Sequence, residues 1–349
     1  MIEVCIQRDL GSFHLDAAFS AGNEILALLG GSGSGKSMTL RCIAGVEKPD
    51  RGRIVVDGTV FFDSEKRINL SPQQRQVGML FQNYALFPTM TVLQNIMTGV
   101  RSGSRTEKRQ IAEASLQRFR LQGLGDRYPA ELSGGQQQRA ALARILVGKP
   151  KILMLDEPFS ALDSHLRDQM EREVMALLRD FGGTTLLVSH SRDEVYRMAD
   201  RVAIYNSGSI EVLDEKHNVF QDPRTYHAAI LTGCKNFSSV EALHYCDGFT
   251  TFYARDWAME LRLPGKRDGQ ITGIRGHDIR LEGSGGLNVM EMAVTGVIED
   301  PFEHVLLLQK PGAESQPIQW MIPKGTISPL PSGTVTVELP PESLMLLQA

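Results

Sequence analysis

Apolar and polar residues alternate at the start of the chain: Ile2, Val4 and Ile6, then Phe13 and Leu15. A period of two predicts strands over residues 1–29, with turns at Gly11 and at Ala21-Gly22-Asn23. Ile54-Val55-Val56, Asp57-Gly58 and Val60-Phe61-Phe62 predict a hairpin around a favoured two-residue turn. Val77 to Phe81 is a short buried-strand candidate. From about Thr91 to Gly148 the pattern is mostly helical; Ala112, Leu116 and Phe119 share one face. Ile152 to Leu155 and Thr184 to Val188 are apolar strands. Between them a helix from about Ser164 carries Leu166, Met170, Val174, Leu177, Leu178 and Phe181 as its stripe. Ser191 and Glu194 are spaced for a capping box. Val202 to Tyr205 and Ile210 to Leu213 form a last hairpin, and Asp222-Pro223 is expected to open a helix ending near Gly233.

Apolar strands alternating with helices predict an α/β fold with a mainly parallel sheet covered on both faces. After about residue 235 the texture changes. Short alternating runs, such as Met259-Leu261-Leu263, Val294 to Ile298, Val305 to Leu308 and Val335-Val337, are separated by Gly and Pro. They predict a small all-β barrel of the oligonucleotide/oligosaccharide-fold (OB) kind. The expected domains are therefore 1–234, with a helical subdomain at about 83–150, and 235–349.

Composition adds mostly exclusions. The 349 residues carry a formal net charge of −4, so no global basic field points to nucleic acid. The four cysteines are far apart and form no C-x-x-C, which disfavours zinc and dithiol chemistry and suits free thiols in a reducing cytosol. Met1-Ile2-Glu3-Val4 does not begin a signal peptide, and no apolar run approaches the roughly 20 residues of a membrane span. Work at a membrane would therefore go through a partner, from the aqueous side.

The chemistry concentrates at strand ends. Gly30-Gly31-Ser32-Gly33-Ser34-Gly35-Lys36-Ser37 fits G-x-x-x-x-G-K-[ST], entered by an apolar run from Ile25 to Leu29 and left by a helix-competent run from Met38. Such a loop wraps phosphates with backbone N–H groups at a helix start. Lys36 is placed to reach the β- and γ-phosphates of a nucleotide, and Ser37 to ligate Mg²⁺. Asp156 and Glu157 end the next apolar strand: Asp156 to hold Mg²⁺, Glu157 to deprotonate the attacking water. His190 ends another strand and can reach the γ-phosphate, and Gln82 can contact Mg²⁺ or the attacking water. Leu132-Ser133-Gly134-Gly135-Gln136 opens a helix with two glycines after a serine, a second anion-binding terminus. One nucleotide already has its loop, so a second terminus suggests a nucleotide shared between two copies.

In this order and spacing the phosphate loop, Gln82, Leu132–Gln136, Asp156-Glu157, Asp163 and His190 resemble the ATPase subunit of an ABC transporter, over residues 1–232. The resemblance implies a head-to-tail homodimer with ATP between Gly30–Met38 of one copy and Leu132–Gln136 of the other, and Asp163 coupling the two sites. It implies a permease as membrane partner, an extracytoplasmic binding protein acting indirectly, no nucleic acid, and a peripheral place on the cytoplasmic face of the membrane. Leu10 or Phe13 must stack on adenine, because the segment before the loop is short. After Gln82, Tyr84, Leu86 and Phe87 are expected as apolar anchors for the permease, with core packing as the alternative. Ile274–Ile279 and Val294–Asp300 resemble the accessory domains of bacterial importer ATPases, either ligand-binding or merely dimer-stabilising. Phe13-His14-Leu15-Asp16 and Leu70–Arg75 look most like the molybdate/tungstate branch, beside sulfate, ferric-iron, polyamine and sugar importers. A soluble ATPase acting on nucleic acid or ribosomes and a nucleotide-gated regulator without turnover are the remaining classes.

Overall fold

The computed structural model describes residues 1–160, 162, 164–281 and 286–349, with only the backbone of 164–166. The chain divides into two compact units, Met1–Lys216 and His217–Ala349.

In the first unit the chain runs β1 (Ile2–Asp9), β2 (His14–Ala21), β3 (Ile25–Gly30), α1 (Lys36–Ala44), β4 (Arg51–Val56), β5 (Thr59–Asp63), β6 (Ile68–Asn69), α2 (Pro72–Arg75) and β7 (Gly78–Leu80). It continues through α3 (Val92–Gly99), α4 (Arg105–Arg118), α5 (Gly134–Leu146), β8 (Leu153–Asp156), α6 (Ser164–Phe181), β9 (Thr185–Ser189), α7 (Arg192–Met198), β10 (Arg201–Asn206) and β11 (Ser209–Glu215). Among the described residues these strands make one eleven-stranded sheet, ordered β6-β5-β4-β1-β2-β11-β10-β3-β9-β8-β7. Only part of it is parallel: β10, β3, β9, β8 and β7 pair in parallel, whereas β1, β2, β4, β5 and β6 form an antiparallel arm. The expected mainly parallel sheet is thus half of the sheet. The arm joins through a single parallel pairing, Ser209 with Asp16, which no local pattern announces.

Packing explains the alternation. Ile2, Val4, Ile6 and Leu15 are fully or almost fully buried in one core with the apolar side of α1. Leu80, Leu153, Leu155 and Leu187 face a second core built with α3, α5 and α6. A buried guanidinium closes the tail of α1. Arg75, on α2, donates from Nη1 to the carbonyls of Cys42 (2.7 Å) and Ile43 (2.9 Å), from Nε to Leu70 (2.9 Å) and from Nη2 to Asn69 Oδ1 (2.8 Å). Its charge also lies 5.7 Å from the Phe61 ring centroid.

Two local expectations change. Ser191 caps α7, accepting the Glu194 N–H (3.3 Å), but the Glu194 carboxylate accepts from Ser189 Oγ (2.6 Å), so the reciprocal half of a capping box is missing. The helix expected to open at Asp222-Pro223 starts later, as α9 (Tyr226–Leu231) capped by Thr225, and a separate short helix, α8 (Lys216–Gln221), ends before the proline.

The second unit begins ahead of the expected 234/235 boundary. α9 packs within it: Ala229 and Cys234 cluster with Met345 and Leu347, and Arg275 donates to the Thr232 carbonyl (2.7 Å). It continues with β12 (Asn236–Cys246), β13 (Phe249–Ala254), β14 (Met259–Pro264), β15 (Ile271–Ile274), β16 (Arg280–Leu281), β17 (Val289–Glu299), β18 (Glu303–Gln309), β19 (Ile318–Pro323), β20 (Thr334–Glu338) and β21 (Met345–Leu347). These described strands form two five-stranded sheets, β14-β13-β12-β15-β21 and β16-β20-β17-β18-β19, around a shared core with Trp257, Phe252 and Trp320. This is an OB-like all-β domain.

Candidate functional site

The strand order does the first work of assembly. β7, β8, β9 and β3 are parallel neighbours, so Gln82, Asp156-Glu157, His190 and the glycine loop all leave the same edge of the sheet. Ligand sites in open α/β sheets form outside such strand ends.

The loop itself is built by backbone. Gly35 is the N-cap of α1 at φ +106°, and a β-carbon there would press on Leu15 Cδ1 and Phe13 Cζ, so the position demands glycine. No side chain caps α1, which leaves its first N–H groups and the positive end of its dipole for an anion. Lys36 is almost fully buried; its Nζ donates to the carbonyls of Gly30 (2.8 Å) and Gly31 (2.7 Å) and to Ser34 Oγ (3.3 Å). Burial pulls the Lys36 pKa below the usual lysine value, and the Glu157 and Asp156 carboxylates oppose that pull.

Ser37 Oγ donates to Asp156 Oδ1 at 2.8 Å, joining the helix start after β3 to the end of β8. Adjacent ligands of an octahedral Mg²⁺ at 2.0–2.1 Å stand about 2.9 Å apart, so this hydroxyl and carboxylate fit two positions, leaving the rest for phosphate and water. Among the described residues no group of three or more His, Cys, Asp or Glu is placed to hold a metal ion. Asp156 is buried, and burial raises its pKa above the usual aspartate value against the opposing Ser37 hydrogen bond.

Glu157 sits at φ +47°, a left-handed conformation costly for a residue with a side chain. Its N–H donates to the Val188 carbonyl (3.0 Å), which fixes the strained residue against β9. There His190 Nδ1 lies 3.5 Å from Glu157 Oε1, with the imidazole mostly exposed. The two residues, 33 positions apart in the chain by their numbers, therefore share one face of the site. The recorded bond of Gln82 goes from Nε2 to Ser160 Oγ (3.2 Å), and Ser160 Oγ donates to the Glu157 carbonyl (2.9 Å). Gln82 is thus tied to the carboxylate strand through Ser160, which the sequence did not single out.

The second helix terminus differs from the first. Ser133 caps α5 and its hydroxyl accepts the Gln136 N–H (3.4 Å), while Gln136 Oε1 accepts the Ser133 N–H (3.0 Å). Leu132 and Gly135 are buried, Ser133 is exposed, and Gly134 and Gln136 lie between. Asp163 lies outside the described residues. Phe13 packs its ring beneath Gly35, while Leu10 is exposed at the turn that Phe13 closes. Of the expected apolar anchors, Tyr84 is core, 5% exposed in the cluster of α3, α5 and α6; its side chain turns inward. Leu86 packs on that cluster, and only Phe87 is exposed, at 46%. Asn95 escaped notice as well, although a polar residue inside the apolar stripe of Val92, Leu93 and Ile96 was a signal.

A sequence model of the family described as "ABC transporter" matches residues 15–160. The spermidine/putrescine import ATP-binding protein PotA of Oleidesulfovibrio alaskensis is 43% identical over 60% of this chain and 55% of its own length. The sulfate/thiosulfate import ATP-binding protein CysA of Caulobacter vibrioides is 39% identical over 78% of this chain and 79% of its own. The molybdenum import ATP-binding protein ModC of Paramagnetospirillum magneticum is 39% identical over 64% and 61%. Thus the chain spans little more than half of the first of these relatives and about four-fifths of the second. A dimeric ATP-binding cassette solved in a post-hydrolysis state with ADP and Pi superposes with a TM-score of 0.53 at 26% identity, covering 62% of this chain and 99% of that one.

Proposed function

Since the chain belongs to the ABC transporter family as an importer-type ATP-binding subunit, an ATPase, we propose that Gly30–Met38 binds the ATP phosphates and that two copies share each nucleotide. The observation that carries the reading is the 2.8 Å contact between Ser37 and Asp156. The N–H groups of α1 and the Lys36 ammonium hold the β- and γ-phosphates; Lys36 exchanges a loop carbonyl for a phosphate oxygen. Ser37 and Asp156, with Gln82 near, would hold Mg²⁺, which would supply neutralisation of charge on the transferred phosphoryl group. Glu157 takes the proton of the attacking water and His190 bonds the γ-phosphate. Ser133–Gln136 of a second copy closes over the same phosphate, and Asp163 couples the two sites.

The chain then works with membrane permease subunits fed indirectly by an extracytoplasmic binding protein, from the cytoplasmic face of the membrane. No described helix is long and apolar enough to cross it. Exposed Phe87 is the permease contact in this reading. For the solute we propose molybdate or tungstate, supported by the segments Phe13–Asp16 and Leu70–Arg75 and by the similarity to ModC. The similarity to PotA and CysA supports polyamine or sulfate as the competing cargo. The test reconstitutes the chain with its permease and binding protein and measures ATP-driven uptake of molybdate, sulfate and spermidine side by side. Uptake of molybdate alone supports the proposal; uptake of sulfate or spermidine without molybdate ends it.

A further inference from the structure

The loop after Gln82 is fastened to helices on two sides. On α3, fully buried Asn95 accepts the Phe87 N–H at Oδ1 (2.8 Å), and its Nδ2 donates to the carbonyls of Phe87, Met90 and Thr91 (each 3.1 Å). On α5, Arg144 donates from Nη1 to the Ala85 carbonyl (2.8 Å) and from Nη2 to the Tyr84 carbonyl (3.2 Å). Its guanidinium also stands 5.3 Å from the Phe87 ring centroid. The two helices meet closely at one point, where Gly99 at the end of α3 lies flush against the backbone carbonyl of Arg144 and no β-carbon fits.

At its start the loop has a different attachment. Gln82 bonds to Ser160, on the carboxylate side of the site. Between the two attachments Tyr84 and Ala85 are consecutive left-handed residues, at φ +59° and +44°. Strain of that kind persists only where the surroundings impose it, and it marks the chain's bending point. Arg144 grips the two carbonyls of this bend.

We infer that Arg144 is a positioning residue that makes the 84–87 turn move with α5, the helix whose far end is Ser133. The inference rests on the nucleotide reading above and adds a transmission element to it. Ser133 and Arg144 belong to one continuous helix, about 16 Å apart at 1.5 Å per residue, so a displacement of Ser133 on engaging a neighbouring copy's phosphate is carried along α5 to Arg144. The guanidinium then carries the Tyr84-Ala85 carbonyls and the Phe87 ring with it. Lysine cannot replace this grip: it offers one point charge, not a fork that holds two carbonyls while lying over a ring.

Hydrogen–deuterium exchange of the full chain in a Glu157→Gln background, with and without ATP, tests this. In the parent, ATP is expected to slow exchange at residues 30–38 and at 84–87. Arg144→Ala is expected to keep the slowing at 30–38 within about twofold and to cut that at 84–87 at least fivefold. Arg144→Lys, which retains charge and most of the volume and so guards against a failure to fold, is expected to lose the 84–87 response as well. Equal slowing at 84–87 in Arg144→Lys and the parent overturns the inference, as does a parent whose 30–38 region responds while 84–87 does not. A parent with no response at 30–38 overturns the nucleotide reading itself and this inference with it.

Discussion

The two glycine-bearing helix starts of the first unit look alike in sequence and are finished in opposite ways. α1 begins on Gly35 with no side-chain cap, a nearly buried Lys36 beside it and a carboxylate pair across the gap. α5 begins on Ser133, whose hydroxyl takes the Gln136 N–H while Gln136 Oε1 takes the Ser133 N–H, so one of its first-turn donors is capped from within. The first terminus is chemically incomplete until an anion arrives. The second is partly finished by its own side chains, and the Gly134 and Gly135 N–H groups are what it has left to offer an anion. Under the proposed function, the first start would bind nucleotide in a single copy and the second would meet a phosphate already held by a neighbour.

The sharpest way to break that distinction is Glu157→Gln. Hydrolysis should fall about 10²–10⁴-fold while nucleotide still binds at α1, so the protein should run as a dimer in light-scattering chromatography with saturating Mg-ATP. A monomer there removes the role assigned to α5. Next in size, Lys36→Ala should weaken ATP binding by on the order of a hundredfold in calorimetric titration, since a charge-assisted contact to phosphate is lost; unchanged affinity would show that α1 is not the primary site. Ser133→Ala should cost about 0.5–2 kcal/mol of stability through loss of the cap, read as a lower denaturation midpoint, with the affinity of the monomer for ATP unchanged. An equal loss of monomer affinity would mean that the two termini act on one nucleotide within one chain.

The smallest effect is in pH. Asp156 must be ionised to hold Mg²⁺, and burial places its pKa above the usual aspartate value. As pH falls towards that raised value the carboxylate takes up a proton, so the Mg²⁺ concentration for half-maximal ATPase activity should rise, starting at a higher pH than an ordinary aspartate would give. Titrating Mg²⁺ at a series of pH values checks this, and a flat profile down to the normal carboxylate range contradicts it.

How far the sequence carried depends on how local each cause is. The phosphate loop was legible because the turn, its glycines and the helix after it are contiguous. The strand-end positions of Asp156, Glu157 and His190 were legible because apolar runs end on them. The pairing of Ser209 with Asp16, which fuses an antiparallel arm to the parallel strands, joins residues far apart and leaves no periodic trace. Tyr84 read as surface because its neighbours are loop residues; its burial is set by α5 and α6, which arrive later in the chain. Glu194 obeys the spacing of a capping box, yet a serine two residues before the cap competes successfully for its carboxylate. The left-handed backbone of Glu157 had no signature at all, since only a glycine or asparagine would have advertised it.

Arg75 gives α1 a fixed heel. Four hydrogen bonds from one guanidinium pin the carbonyl end of that helix to the segment Asn69–Arg75, at the opposite end from Lys36. Its toe, where Gly35 and Lys36 stand, is therefore aimed before anything lands on it. Substitutions between Asn69 and Arg75 would in this way tilt the whole rod from behind and shift the glycine turn at its other end.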